Sequence, residues 1–325
     1  MKQTLPKFAF FKGRVVPYSE AKVGVLTHAL NYGTAVFGGL RAYWNDDEKQ
    51  LFVFRPLDHF HRFLQSAKVM CMELPYSAAE LVGALTELMR KEGYREDCYI
   101  RPLAYFSDEI IGVRLHDVGA DASIVAIPFG RYNTNEDGMH VTFSSWRRVD
   151  DNIIPARGKI SGAYVNSAFA KTDAVRAGFD EVLVLNHDGH ISEGSAANFF
   201  LLRNGVWATP PITDNILEGI TRKTIMQLMR DELHWEVVER PIDRTEVYLA
   251  DEAFLAGTGV QISAITRVDF RHVGKGEMGD QTVRLREIYG DVVHGRFSKY
   301  RHWCQPVYEK TTVVPGKKDV TVSVK

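Results

Sequence analysis

The stretch "IPARGKISGAY", residues 154–164, sets one lysine, Lys159, among residues with almost no side chain. Gly158 precedes it, and Ser161, Gly162 and Ala163 follow closely. A solvated lysine gains nothing from small neighbours, whereas a lysine joined to a flat, bulky group needs the space. The expectation is that these residues leave room for such a group. A strand, "HVTFSSWRRV" (140–149), leads up to the lysine, and a helix, "AYVNSAFAKTDAVRAGF" (163–179), leaves it. On that helix Val165, Ala168, Phe169 and Val175 fall on one stripe, which predicts a buried face, and Gly178 ends it.

Outward from this point the second half alternates short strands with turns. "EVLVLN" and "NFFLLR" carry hairpin-type turns "NHDG" and "RNG"; a helix, "TRKTIMQLMRDEL", opens after "LEGI". Strands "WEVVERPI" and "AFLAGT" and a last helix, "GDQTVRLREIYGDVV", follow. The first half reads as strands "AVFGGLRAYW" and "QLFVFR" around the turn "NDDEK", then two helices, "LDHFHRFLQSAKVM" and "SAAELVGALTELMRKEG". The second of these opens on Ser77 and stops at Gly93. Strands "CYIRPLAYF" and "ASIVAIPFG" close the half, and "RYNTNEDG" (131–138) collects turn formers. Hairpins outnumber strand–helix–strand crossovers, so the fold class is α+β, with helices and strands mixed. The expected organisation is a small N-terminal α/β domain at 1–130, a linker at 131–138, a larger domain at 139–300 and a tail at 301–325.

Composition narrows the function classes. The chain has 325 residues, 45% hydrophobic and 25% charged, the profile of a soluble globular protein of two domains. Lys and Arg total 40 against 41 Asp and Glu, a net charge of −1, which gives no electrostatic reason to expect nucleic acid or an anionic membrane. Three cysteines, Cys71, Cys98 and Cys304, lie far apart and fit reduced thiols of a cytoplasmic protein. The opening "MKQTLPKFAFFKGR" lacks the pattern of a signal peptide, and no run of 18 apolar residues occurs.

Several motifs compete. "GKGEMG" (274–279) has the letters of a dinucleotide fingerprint but lacks the strand before it and the acid after it, so it reads as a surface turn. The histidines of "HFH" and "HDGH" have no partners at metal-ligand spacing, and no metal is expected. Two other features bear on Lys159. Glu193, in "ISEGSAANFF", stands before an apolar strand, where a carboxylate is costly unless paired. Gly219, Ile220 and Thr221 open a helix, whose free N–H groups and positive dipole end suit a phosphate, and "AGTG" (256–259) is a second glycine-flanked turn. An amine, a buried acid and anion-binding turns together suit pyridoxal phosphate. Chemistry alone leaves a phosphate-binding enzyme of another kind equally open.

A family resemblance bears on that choice. "HALNYGTAVFGGLRAY", "HRFLQSAK", "YIRPL", "KISGAY", "ISEGSAANFF", "LEGITR" and "AGT" occur in an order and at spacings that resemble class IV aminotransferases, specifically those acting on branched-chain amino acids. The resemblance covers about residues 8–297. It implies the fold-type IV arrangement of pyridoxal phosphate enzymes, like that of D-amino acid aminotransferase, with the cofactor at the domain boundary. It implies that Lys159 is the Schiff-base lysine and that Glu193 meets the pyridine nitrogen. Arg62 would bind the phosphate with Gly219, Ile220, Thr221, Gly257 and Thr258; Leu217 would pack on the ring and Tyr164 would reach its phenolic oxygen. Tyr99 and Arg101, with the turn ending at Gly259, would receive the substrate α-carboxylate. Phe37, Phe129, Tyr132 and Tyr164 would line an apolar pocket, while Tyr32, Ile111 and Val113 would work across a homodimer interface.

One departure from the family's "FEGxRxY" is Gly38 in the acid's place, which is expected to leave Arg41 and Arg101 with one fewer negative neighbour near the substrate. The activity implied is transfer of an amino group between a branched-chain L-amino acid, as small-molecule donor, and the keto acid 2-oxoglutarate. A D-amino acid or (R)-amine transaminase on the same scaffold, and a non-catalytic phosphate-binding module, are the rival readings.

Overall fold

The computed structural model describes residues 4–130, 135 and 137–309. A first sheet is built from β1 (Phe8–Phe11), β2 (Arg14–Pro17), β3 (Ala35–Phe37), β4 (Leu40–Asn45), β5 (Gln50–Phe54), β6 (Cys98–Phe106) and β7 (Ala120–Pro128). Between them lie α1 (His28–Tyr32), α2 (Pro56–Val69) and α3 (Ala78–Glu92). The second sheet takes β8 (Met139–Arg147), β9 (Glu181–Leu185), β10 (Ile191–Gly194), β11 (Asn198–Arg203), β12 (Val206–Thr209), β13 (Val237–Glu239), β14 (Glu252–Gly257), β15 (Gln261–Val268) and β16 (Arg271–His272). Helices α4 (Tyr164–Arg176), α5 (Ile220–Asp231) and α6 (Asp280–Val293) accompany it, and β17 (Cys304–Pro306) ends the described chain.

Strand order is β17-β5-β4-β6-β7-β1-β2 in the first sheet, with β3 on β6. In the second it is β10-β9-β8-β15-β14-β11-β12-β13, with β16 on β15. Most pairings are antiparallel; β8 with β9, β8 with β15, and β12 with β13 are parallel. The result is a mixed α/β fold dominated by hairpins, as the turn signals imply. Among the described residues no helix is long and apolar enough to cross a membrane.

Local sequence explains the helix ends. Ser77 accepts from the Glu80 N–H while Glu80 returns a bond to the Ser77 N–H, a closed capping box at the start of α3. Gly93 ends the same helix at φ 72°, a left-handed conformation that costs glycine little.

The two halves are not separate. Period-two alternation sends Leu51 and Val53 of β5 to the core under α2 and α3. It sends Phe52 and Phe54, with Tyr43 of β4, to the core beside α5 and α6. Strands buried on both faces read as the continuous apolar run "QLFVF". One strand pair therefore belongs to both cores.

Two expectations need correction. The stripe Val165, Phe169 and Val175 on α4 is not buried: these residues are exposed, and the helix packs through Ser167, Ala170 and Ala174. Small residues bring α4 close against β8 and β9, while the larger apolar side chains face outward, where Trp146 stacks on Phe169. The second concerns the segment from 301 onward. It is no loose tail over its described part, because β17 pairs antiparallel with β5 and extends the first sheet. Val307 is fully buried in the first core, and Tyr308 exchanges bonds with the Gln50 side chain. Residues 310–325 lie outside the described residues, as do 131–134 and 136 of the expected linker.

Val307→Ala removes two buried methyl groups from this strap. It should lower unfolding free energy by about 2 kcal/mol in denaturant melts, whereas loss below about 0.5 kcal/mol would show that the strap contributes no core.

Candidate active site

A cavity of about 390 Å³ lies where the sheets meet, large enough for a cofactor-sized ligand. It is lined from the first sheet and α2 by Phe37, Arg62, Tyr99, Arg101 and Phe129. From the second half come Lys159, Tyr164, Glu193, Leu217, Gly219, Ile220, Thr221, Gly257, Thr258 and Gly259. The cavity thus gathers most of the residues singled out in the sequence.

Lys159 is fixed at its backbone by the first sheet. Its N–H donates to Ser66 Oγ on α2 at 3.1 Å, and its carbonyl accepts from the Phe37 N–H at 3.0 Å. Its Nζ donates to the Tyr164 hydroxyl at 2.5 Å and stands 4.9 Å from the centre of the Phe37 ring. Loss of water, and then the Arg62 guanidinium, hold this amine well below the usual lysine range, so it is poised to work as a neutral base. Burial also pushes the Tyr164 phenol up, so it stays protonated.

Among the small residues beside Lys159, Gly162 has another purpose. Gly158, Ser161, Gly162 and Ala163 do not line the main cavity. Gly162 instead donates its N–H to Gly33 O at 3.1 Å, and a Cβ on Gly162 would stand 3.3 Å from that oxygen. Gly33 itself sits at φ 68°, ending α1. Gly33 and Gly162 let two distant stretches of backbone touch. Room over the amine is supplied elsewhere, by Gly39, Ala196, Ala197 and Ala256.

Glu193 is 3% exposed, and its charge is answered from three sides. Arg148 Nη2 lies 2.8 Å from Oε1; Asn198 Nδ2 and the Leu217 N–H donate to Oε2 at 3.1 and 3.2 Å. Burial raises the carboxyl above its ordinary range, against the pull of Arg148 and the Leu217 N–H. A carboxyl so biased is suited to share a proton with a ring nitrogen. Arg148 and Asn198 were missed in the sequence. Their only signals are paired arginines at the end of a strand and a buried amide opening an apolar one.

At the other end, Gly219 caps α5 without any side-chain hydrogen bond to its first turn, leaving the N–H groups of Ile220 and Thr221 unclaimed by a cap. A Cβ on Gly219 would collide with Asn198 Oδ1, so glycine is required there. Arg62 faces this turn from α2 and donates to Glu218 O at 3.2 Å. Arg62 and Arg101 line the cavity with Glu193 as the acid among its described lining residues, an excess of positive charge that fits a phosphate dianion. These residues fit pyridoxal phosphate: Lys159 for its aldehyde carbon, Tyr164 and Glu193 for the ring, and Arg62 with the α5 turn for the phosphate. Among the described residues no His, Cys, Asp and Glu group could hold a metal ion.

The expected substrate residues divide. Tyr99 and Arg101, on one face of β6, bond to each other at 3.1 Å, and Arg101 lies 4.6 Å over the Phe37 ring. Phe129 packs on Tyr99 at 5.3 Å. Tyr32, Ile111 and Val113 do not line the cavity of this chain. The Tyr32 hydroxyl accepts from the Gly112 N–H, and Ile111 and Val113 are 81% and 79% exposed. Tyr132 lies outside the described residues.

Gly38 and Arg41 require correction as substrate groups, since neither lines the cavity. A Cβ on Gly38 would stand 2.6 Å from Pro102 Cγ, pointing into the sheet, while Gly39 lies on the cavity wall. Arg41 is 2% exposed; its Nη1 and Nη2 donate to backbone carbonyls of Gly259, Phe129 and Gly130, while its buried Nε has no partner among the described residues. Its charge is answered without the family's acid.

Comparison with known proteins agrees with this geometry. Residues 35–268 match the family model described as amino-transferase class IV. A probable branched-chain-amino-acid aminotransferase of Aquifex aeolicus (strain VF5) is 47% identical over 303 residues, covering 93% of this chain and 97% of the relative. The crystal structure of the branched-chain aminotransferase of Thermoproteus uzoniensis with norvaline has a TM-score of 0.89 at 42% identity, covering 93% of this chain and all (100%) of that one. The branched-chain amino acid aminotransferase of Thermobaculum terrenum, in its PLP-form, has a TM-score of 0.89 at 38% identity, over 94% of this chain and 100% of that one.

Because Gly38 points away from the cavity, Gly38→Ala should act on stability and not on selectivity. Crowding against Pro102 should cost about 1–3 kcal/mol. The ratio of kcat/KM for leucine to that for (R)-1-phenylethylamine should stay within about twofold of wild type; a larger change would return Gly38 to the substrate site.

Proposed function

The chain belongs to the class IV aminotransferases, and from that premise we propose that it is a pyridoxal phosphate-dependent transaminase exchanging an amino group between branched-chain L-amino acids and 2-oxoglutarate. One observation carries the reading: a partly buried amine with a depressed pKa, held by Tyr164, shares a cavity with a carboxylate held by three partners. The relatives' names supply the substrate class.

Pyridoxal phosphate, when bound, supplies the electron sink that lets a Cα–H bond of the donor break. The chain's residues supply the rest. Lys159 would hold the cofactor through its aldehyde carbon, and its free amine would serve as the base that moves the donor's Cα proton. Its neutrality at working pH follows from burial and from Arg62. Tyr164, kept protonated, orients Nζ through a 2.5 Å bond. Glu193 holds a proton at the ring nitrogen, and Arg148 and Asn198 hold Glu193. Arg101, Tyr99 and the 257–259 turn take the donor's α-carboxylate, while Phe37, Phe129 and Tyr164 exclude water from its apolar side chain.

The active assembly is a homodimer in this reading. Val25, Leu26, Leu30, Ile111 and Val113 are large, apolar and exposed on the α1 region and the loop that Tyr32 anchors, a face suited to a second copy. A cytoplasmic location belongs to the same proposal, supported by Cys71, Cys98 and Cys304 all being free thiols.

A donor panel of leucine, isoleucine, valine and (R)-1-phenylethylamine with 2-oxoglutarate tests the substrate class. The three amino acids should lead; preference for the amine would favour the sister activity. Lys159→Ala should leave the circular dichroism spectrum unchanged while turnover falls below about a hundredth of wild type. Retention above that level would remove Lys159 from the chemistry.

Glu193→Gln tests the other end of the ring. The variant should keep cofactor, because Arg62 and the α5 turn are untouched. Single-turnover deamination of leucine should slow on the order of a hundredfold, since an amide cannot balance a protonated ring nitrogen. An unchanged rate would make Glu193 a purely structural acid.

A further inference from the structure

Arg55 does not line the main cavity, yet it joins α2 and α5, the two helices that bring Arg62, Ile220 and Thr221 to it. It caps α2 from a left-handed conformation, φ 47° and ψ 46°, which a side chain adopts only when its surroundings compel it. Those surroundings are specific. The Arg55 N–H donates to Trp303 O at 2.7 Å, and the guanidinium carbon lies 4.6 Å over the Trp303 ring. Nε donates to Asp58 Oδ2 at 2.6 Å, and Nη1 donates to Thr224 Oγ1 at 2.9 Å.

Thr224 is fully buried in α5 and gives its own hydroxyl proton to Ile220 O at 2.9 Å, so it meets Arg55 as an acceptor. Ile220 is the first residue of α5. Seven residues after Arg55, two turns along α2, Arg62 reaches Glu218 O, just before the same turn. The helix bearing the phosphate arginine is therefore attached to the 218–224 segment at two points about 10 Å apart along its axis. One point would allow tilt; two fix it. Trp303 in turn stacks on Tyr300 at 4.4 Å and meets the edge of Phe54 at 6.1 Å, so residues 298–303 brace the outer point.

We propose that Arg55 is a positioning residue for the phosphate site, clasping the start of α2 to Thr224 of α5 and to Trp303. The proposal rests on reading that end of the cavity as the phosphate site. Arg55 touches no ligand; it acts by holding Arg62 at its distance from Ile220 and Thr221.

The test uses the full chain purified with its cofactor and dialysed against falling concentrations of pyridoxal phosphate. Arg55→Met keeps the apolar stem, and Thr224→Val breaks the same bond from the other helix at nearly unchanged volume. Each should raise the dissociation constant for pyridoxal phosphate about tenfold. Each should also weaken the thermal shift given by inorganic phosphate alone. The double variant should be no worse than the stronger single one, because both remove one interaction. Turnover at saturating cofactor should stay within about twofold, since Lys159, Tyr164 and Glu193 are untouched.

Unchanged dissociation constants, with equal losses of melting temperature with and without ligand, would make the clasp a fold-stabilising contact only and overturn the proposal. If Arg55→Met fails to fold, Thr224→Val decides alone by the same criteria. Wild-type protein that binds inorganic phosphate but not pyridoxal phosphate would sink the transaminase reading and leave the clasp standing. Binding neither would sink both.

Discussion

A carboxylate enclosed between β-strands is the constraint on which the site depends. Glu193 is taken from water on β10, and an ion of that kind persists only where charge and hydrogen bonds replace the lost hydration. Arg148 comes from just beyond the end of β8, Asn198 from the start of β11, and the Leu217 N–H from the loop before α5. Each of those partners is itself held. Arg148 Nε donates to Asn215 O, and the Asn215 amide bonds Asp150 and Asn186. Asn215 takes φ 56°, turning the loop so that Leu217 faces the cavity. One buried charge thus ties together three strands and the loop that leads into α5.

The chemistry was legible in the sequence where a residue type is improbable in its surroundings. Lys159 among glycines and Glu193 against an apolar strand both stand out because solvation arguments disfavour them. The α5 start was legible from "LEGITR", and the ends of α3 from Ser77 and Gly93. Arg148 and Asn198 were not, because a strand position says nothing about which distant carboxylate it will meet. Sequence cannot tell a clearing for a ligand from a place where two backbones touch, and Gly162 against Gly33 is the second kind. The α4 stripe failed for a related reason. Periodicity identifies an apolar face without naming what lies against it, and here three small side chains take the inner face.

Gly38 and Arg41 show how a departure from a family pattern misleads when read as a charge count. An arginine without its acid looks uncompensated on paper. In the fold, three carbonyl oxygens from the 129–130 and 259 segments accept from its Nη1 and Nη2. The Gly259 contact places Arg41 behind the 257–259 turn that lines the cavity, as a support for it.

The strand pair β4–β5 serves both cores at once, and this bears on how a molecule enters and leaves. Opening two domains about a hinge demands a boundary that water can wet. Here Tyr43, Phe52 and Phe54 would have to be stripped from α5 and α6, and β17 would have to peel from the sheet edge. Traffic through the cavity must therefore pass a fixed frame, in the manner of a letterbox and not of a jaw.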